Sequence, residues 1–239
     1  MVMIAVCMLV TVFFFAWANT SMGPSTEAMA ALQSGNGVQV TTNQWLAFQP
    51  ESGAVNTGFI LYPGGRIEPR SYAPLARDIA AQGYLVVIVP ATLNLAILNP
   101  DAAREVMEAY PQITHWAVGG HSIGGAAAAE FVRDNPDVQG LVFWASFPQG
   151  TVDLSERDDL VVASIYGTND LVATVQTIEA FHPMLPPDTT FVIIEGGNHE
   201  QFGWYGIQPG DGVPTISREE QQRQIVEATV AVLREISGQ

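Results

Sequence analysis

Residues 116–125 read Trp116-Ala-Val-Gly-Gly-His-Ser-Ile-Gly-Gly125, an apolar run that turns through glycines into an alanine-rich segment. The apolar run predicts a strand, and the segment from Ile123 to Arg133 predicts a helix. Between them, Gly120-His-Ser122-Ile-Gly124 has the form G-x-S-x-G, which places a serine on a sharp turn between a strand and a helix. Glycines at 120 and 124 relieve crowding at that turn. We therefore predict that Ser122 is an exposed nucleophile at the end of a strand.

Strand and helix patterns alternate on both sides of this turn. The predicted strands are an antiparallel pair and five further apolar runs: Val38–Thr42, Gln44–Phe48, Gly58–Tyr62, Leu85–Val89, Leu141–Ala145, Leu160–Tyr166 and Phe191–Ile194. The other predicted helices are Tyr72–Gln82, Ala102–Tyr110, Val175–Phe181 and Arg218–Ile236. This alternation predicts an α/β fold with a doubly wound, mostly parallel sheet and helices on both faces. Residues 38–239 are expected to form a single catalytic domain.

A serine hydroxyl needs a nearby imidazole to take its proton during attack. Of the four histidines, His199 directly follows the last predicted strand, where a loop can carry it over the serine. We predict that His199 is the general base. The other three are interpreted as structural or surface residues: His115, His121 and His182.

The imidazole in turn needs a carboxylate that fixes its tautomer. Asp170, in Tyr166-Gly-Thr-Asn-Asp170, follows the penultimate strand and completes the chain order Ser, Asp, His. Asn-Asp is also ordinary turn chemistry, so the assignment depends on the joint pattern. The acids that could substitute for it are Asp158, Asp159 and Glu195.

The segment Leu61-Tyr-Pro-Gly-Gly-Arg66 follows the first parallel strand, where an oxyanion-stabilising N–H is expected in such a fold. We predict that the N–H groups of Gly65 and Ile123 form the oxyanion hole. A plain Pro-Gly turn is the alternative. The nearby charged side chains could contact substrate but fit a surface salt-bridge cluster better: Arg66, Glu68 and Arg70.

Taken together, these motifs resemble the α/β-hydrolase superfamily, and more closely its compact dienelactone-hydrolase-like group, the α/β-hydrolase fold-5 family. The resemblance spans about residues 58–233 and rests on four segments: 62–66, 120–125, 166–170 and 196–203. It implies hydrolysis of esters or similar acyl substrates without a metal or an organic cofactor. Dienelactone hydrolases proper use a cysteine nucleophile, whereas this chain has Ser122, so the resemblance implies carboxylic esters rather than their lactone substrate.

The segment between the strand ending near Ser146 and the next strand is too short for a helical cap. We therefore expect a shallow site with minimal or no cap, which favours small or short-chain acyl groups. Candidate lining residues are Phe147, Leu171, Phe202 and Trp204, each of which could equally be core or rim. The alternative functions are an acyltransferase, thioesterase or peptidase with the same triad, and a non-catalytic binding module.

The chain has 24 acidic and 9 basic residues, for a formal net charge of −15, and all of the bases are arginine. A surface this acidic repels phosphate backbones, so nucleic-acid binding is not expected. A small-molecule ester is the expected partner. The composition indicates a globular protein.

The first eighteen residues contain no charged side chain and end in Ala16-Trp-Ala18, which fits a signal-peptide cleavage site. We predict export, with residues 1–18 acting either as a cleaved signal peptide or as a membrane anchor. Residues 19–37 are predicted to be a flexible tether. Cys7 is the only cysteine, so the catalytic domain is expected to have no disulfide.

Overall fold

The computed structural model describes residues 20–238. The predicted signal peptide or anchor at residues 1–18 lies outside the described residues. Within residues 20–238, no helix combines the length and apolar character needed to cross a bilayer.

Residues 20–238 form eight strands and six α-helices. The strands are β1 (Val38–Thr42), β2 (Leu46–Pro50), β3 (Thr57–Tyr62), β4 (Leu85–Ile88), β5 (His115–His121), β6 (Gly140–Trp144), β7 (Val161–Gly167) and β8 (Thr190–Ile194). The helices are α1 (Thr26–Ala30), α2 (Ala73–Ala80), α3 (Ala102–Ala109), α4 (Ile123–Arg133), α5 (Val175–Glu179) and α6 (Arg218–Ser237). Short 3₁₀ turns lie at Pro69–Tyr72, Thr92–Asn94, Ala96–Leu98, His182–Met184 and Glu200–Phe202.

The eight strands form one sheet in the order β1-β2-β4-β3-β5-β6-β7-β8. β1 and β2 are antiparallel to their neighbours. The other six strands, β3 to β8, are parallel to one another. Their carboxyl ends therefore meet at one edge, where ligands bind in folds of this kind. This confirms the predicted doubly wound, mostly parallel α/β fold.

Helices cover both faces of the sheet, and the central strand β3 shows how. Phe59 and Leu61 point into a core shared with α2 and α6, whereas Ile60 and Tyr62 point into a core shared with α3 and α4. Every residue of β3 is buried, because both faces of a parallel sheet are packed. The core on both sides holds the carboxyl edge of the sheet in a fixed shape.

Most predicted elements form within a few residues of their predicted ends, and β2 differs most. The sequence predicted Gln44–Phe48, whereas the strand runs over Leu46–Pro50. Its ladder with β1 pairs Thr42 with Leu46 and Val38 with Pro50, so the antiparallel register determines where β2 begins.

The predicted tether at residues 19–37 requires a correction over its described part. Residues 26–30 form α1, and the main chain of Met22 pairs with that of Ile67. The Arg77 guanidinium donates to the carbonyls of Ala31 (3.0 Å) and Gly35 (2.9 Å). This stretch therefore packs on the domain, because hydrogen bonds from residues distant in sequence satisfy its backbone polar groups. Its Gly- and Ser-rich composition does not reveal those partners.

The connection between β6 and β7 carries no cap. Residues 145–160 contain neither a helix nor a strand. The carboxyl edge of the described sheet is therefore bordered on this side by a plain loop, as the sequence predicted.

Candidate active site

Ser122 occupies a strained turn between β5 and α4. Its backbone has φ 53° and ψ −127°, a conformation that side-chain-bearing residues rarely adopt and that costs on the order of 1–3 kcal/mol. The residue is partly exposed, while its neighbours in the strand are buried. This is the geometry of a nucleophile elbow, which holds a hydroxyl clear of the sheet edge.

The two glycines of the motif are required by close backbone contacts. A Cβ at position 120 would lie 2.3 Å from the Gly124 carbonyl carbon. A Cβ at position 124 would lie 2.4 Å from the Tyr62 carbonyl oxygen and 2.5 Å from that of Pro63. The elbow thus packs directly against the end of β3 and the loop that follows it.

Gly124→Ala is expected to lower the free energy of unfolding by about 1–3 kcal/mol, because the Tyr62 and Pro63 carbonyl groups leave the new methyl group no room. Urea denaturation measures the change. In the matched variant Gly23→Ala, the nearest atom to the new Cβ is Glu68 Oε2 at 3.9 Å, an ordinary contact, so stability should stay near wild type. Equal losses in the two variants would contradict this explanation.

Two further hydrogen bonds hold the elbow. The Ser122 N–H donates to the Trp144 carbonyl at 2.9 Å, and the Ser146 hydroxyl donates to the Ser122 carbonyl at 2.5 Å. Both partners lie at or just after the end of β6, so neighbouring strands jointly fix the orientation of the turn.

His199 and Asp170 form a buried pair at the same edge. His199 Nδ1 lies 2.7 Å from Asp170 Oδ2, and the two side chains are 1% and 0% exposed. Asp170 Oδ1 accepts the N–H groups of Val172 (2.8 Å) and Ala173 (2.7 Å). Since both carboxylate oxygens are occupied as acceptors, Asp170 holds the proton of His199 on Nδ1 and leaves Nε2 free to accept one.

The alternative acids lie elsewhere. Asp159 forms an ion pair with Arg157 at 2.8 Å on the exposed side of its loop, and both Asp158 and Glu195 are exposed. Within residues 20–238, Asp170 is the one carboxylate hydrogen-bonded to the His199 ring.

Helix α6 holds the loop that carries His199. The buried Gln221 side chain accepts the Asn198 N–H (3.0 Å) through Oε1 and donates through Nε2 to the Asn198 carbonyl (2.8 Å). Gln222 Nε2 donates to the Gln201 carbonyl at 3.1 Å. Sequence reasoning missed these two glutamines, because their helix has no catalytic motif and its contact with the His199 loop is a tertiary one.

The imidazole of His199 lies against the elbow. Its ring centroid is 4.4 Å from that of His121, the residue immediately before Ser122. Within residues 20–238, no hydrogen bond joins the Ser122 hydroxyl to the His199 ring. Hydrogen bonds of this kind are often long without substrate and tighten when one binds.

Gly65 and Ile123 lie side by side at the mouth of the elbow. A Cβ at position 65 would lie 3.2 Å from Ile123 Cγ2. Within residues 20–238, neither backbone N–H has a hydrogen-bond acceptor. Two unpaired N–H donors beside a partly exposed serine can stabilise an oxyanion.

His121 is fully buried, and therefore is not one of the surface histidines that the sequence left open. Its Nδ1 lies 2.8 Å from the Tyr72 hydroxyl, and its ring stacks on Phe202 at 5.5 Å. Burial, reinforced by the neighbouring His199, lowers the pKa of His121 well below its ordinary value. His121 is consequently a neutral side chain beside the base. His182, in contrast, stacks on Phe191 away from this edge.

The four predicted lining residues are distributed over different environments. Leu171 is 65% exposed next to Asp170, and Phe147 stacks on Phe181 at 4.5 Å. Phe202 is fully buried beneath His121, so it supports the histidine rather than presenting a wall to substrate. Trp204 lines a groove between α2 and α6, with its indole N–H donating to Gln222 Oε1 at 2.6 Å.

The charged residues after Gly65 form local contacts. Arg70 pairs with Glu68, and the Arg66 guanidinium donates to the Thr20 carbonyl at 2.9 Å.

Asp211, on the loop after His199, accepts the Glu200 N–H at 2.8 Å and so stabilises that loop.

A parallel sheet with a serine elbow, a buried His–Asp pair and two unpaired N–H groups at one edge defines a hydrolase-type site. A family model described as the alpha/beta hydrolase family matches residues 58–223. This chain belongs to that family and is therefore assigned to the hydrolases. The match ends ten residues before the limit of about 233 that the motifs suggested. No curated protein matches the chain significantly.

Proposed function

We propose that this protein is a serine hydrolase that cleaves carboxylic esters through an acyl-enzyme intermediate. Ser122 is the nucleophile, His199 the general base and Asp170 the residue that orients it. The observation that carries this proposal is the buried 2.7 Å contact between His199 and Asp170, with the His199 ring packed against the serine elbow.

The proposed reaction begins when the Ser122 oxygen attacks the ester carbonyl carbon and its proton passes to His199 Nε2. The Gly65 and Ile123 N–H groups stabilise the oxyanion that forms. His199 then gives its proton to the leaving alcohol, which departs as the carbonyl reforms. Water, deprotonated by the same imidazole, attacks the acyl enzyme and releases the acid and free Ser122.

Short acyl groups are the proposed substrates. The loop at residues 145–160 provides no helical cap, so the described sheet edge offers little apolar wall for a long chain. We expect turnover of p-nitrophenyl acetate or butyrate to exceed that of the dodecanoate.

The chemistry is tested by labelling the protein with a fluorophosphonate probe, which reacts with an activated serine. We expect one adduct, located at Ser122 by peptide mass spectrometry, together with hydrolysis of p-nitrophenyl butyrate. Prior denaturation, which disperses the His–Asp pair, should prevent labelling. A folded protein that neither labels nor hydrolyses any ester of the series would instead favour a binding module on this fold.

A further inference from the structure

A continuous buried path joins the Gly64–Gly65 loop to His199. The Gly64 N–H donates to the Tyr72 hydroxyl at 2.9 Å, and that hydroxyl lies 2.8 Å from His121 Nδ1. The His121 ring in turn lies 4.4 Å from the His199 ring. Tyr72 and His121 are both completely buried. One hydroxyl therefore contacts the loop that carries a proposed oxyanion donor and the residue that packs on the proposed base.

The hydrogen bonds on this path determine where the protons of Tyr72 and His121 lie. Within residues 20–238, His121 Nδ1 is the one acceptor in reach of the buried phenolic proton of Tyr72, so that proton points to it. His121 therefore carries its own proton on the buried Nε2. Tyr72 thus selects one neutral tautomer of His121.

The Gly64–Gly65 loop rests directly on this pair. A Cβ at position 64 would lie 2.8 Å from His121 Nδ1 and 3.0 Å from the Tyr72 oxygen. Within residues 20–238, Tyr72 accepts the Gly64 N–H, whereas the Gly65 N–H has no hydrogen-bond acceptor. The Tyr72 hydroxyl therefore holds the Pro63–Gly64 peptide group, and the next peptide is held where the Gly64 carbonyl accepts the Ile67 N–H at 3.2 Å.

We propose that Tyr72 is a positioning residue for ester hydrolysis, which it serves through two contacts of a single hydroxyl. It anchors the loop that carries Gly65 by accepting the Gly64 N–H, and it selects the tautomer of the buried His121 that packs on His199. This inference rests on the proposed esterase function.

Tyr72→Phe removes only the oxygen and keeps the ring that packs on Trp144. We expect kcat for p-nitrophenyl butyrate to fall about 10- to 100-fold with KM within twofold, because an oxyanion donor acts mainly in the transition state. Affinity for a trifluoromethyl ketone, whose adduct with serine carries an oxyanion, should fall by a similar factor. A purely structural role would lower Tm without this split.

Tyr62→Phe is the matched control. The Tyr62 hydroxyl is also buried, accepts one backbone N–H from Ala103 and donates to the Pro100 carbonyl, but it lies in the core on the other face of the sheet. We expect this variant to lose stability while kcat and inhibitor affinity stay near wild type.

Variants at His121 keep the proposal testable if Tyr72→Phe does not fold. Asn places an oxygen near the position of Nδ1 and can accept from Tyr72, whereas Leu cannot. We expect His121→Asn to retain more of the wild-type kcat than His121→Leu. Equal activities for these two variants, or a folded Tyr72→Phe with unchanged kcat and inhibitor affinity, would overturn the positioning role while leaving the esterase function standing. A wild type without ester hydrolysis or probe labelling would refute the esterase function itself.

Discussion

Ser122→Ala is expected to lower kcat/KM for p-nitrophenyl butyrate by at least about 10⁴-fold, because it removes the atom that forms the acyl enzyme. Steady-state kinetics with the purified protein measures the loss. The remaining N–H donors at Gly65 and Ile123 can still polarise a bound ester, so a small residual rate above that of water is compatible with this result. Turnover near wild type in a folded Ser122→Ala protein would exclude Ser122 as the nucleophile.

The control Ser52→Ala removes the hydroxyl of an exposed loop serine and should leave both activity and stability unchanged.

Ser122→Gly separates the backbone strain at the elbow from the chemistry of the hydroxyl. Glycine adopts φ 53° and ψ −127° without a Cβ penalty, so this variant should be about 1 kcal/mol more stable than wild type although it is inactive. A Ser122→Gly protein that is less stable than wild type by more than about 1 kcal/mol, the entropy cost of an added glycine, would show that the elbow stores no strain.

Asp170→Asn is expected to reduce kcat by about 10³- to 10⁴-fold with little change in fold. The amide has one acceptor where the carboxylate has two. Its oxygen must face the N–H groups of Val172 and Ala173, which donate to Oδ1 in the wild type. The amide NH₂ then faces His199 Nδ1 and donates to it. This moves the histidine proton to Nε2, where it blocks uptake of the serine proton.

Asp159→Asn makes the same chemical change on an exposed side chain paired with Arg157. Exposed ion pairs contribute little to folding stability, and this one lies away from the site, so Tm and kcat should remain close to wild type. The reverse pattern, in which Asp159→Asn is inactive and Asp170→Asn is active, would require a different acid in the triad. Thermal unfolding of both variants checks that the comparison is made between folded proteins.

Much of the fold was predictable because its signals are local. The unbroken apolar run that contains Phe59 to Leu61 predicted a strand, which is buried along its whole length, and Ile123 to Arg133 formed a helix with the predicted ends. The limits of β2 were less accurate, since a ladder with β1 rather than local propensity determines them. The stretch around α1 was misjudged for the same kind of reason, because Arg77, some forty residues away, binds its carbonyls.

Some residues of the candidate site could likewise be predicted from local sequence, and others could not. Ser122 was predicted from the G-x-S-x-G motif and His199 from its place after the last predicted strand. Asp170 was predicted from its place after the penultimate strand, with three other acids still open. The burial of His121 could not be inferred, since the variable position of the elbow has no preferred environment in the sequence. Tyr72 and Gln221 carried no signal either, because their polar atoms reach the site from a 3₁₀ turn and a helix that are remote in sequence.

The sequence by itself determined the alternation of strands and helices, the glycine-lined turn at Ser122 and the chain order of serine, acid and histidine. Each of these depends on residues close together in the chain. Only the tertiary structure decided which carboxylate meets His199, that His121 lies buried between Tyr72 and Phe202, and that Gly65 lies against the side chain of Ile123. Those are distances across separate strands, and packing of the whole sheet determines them.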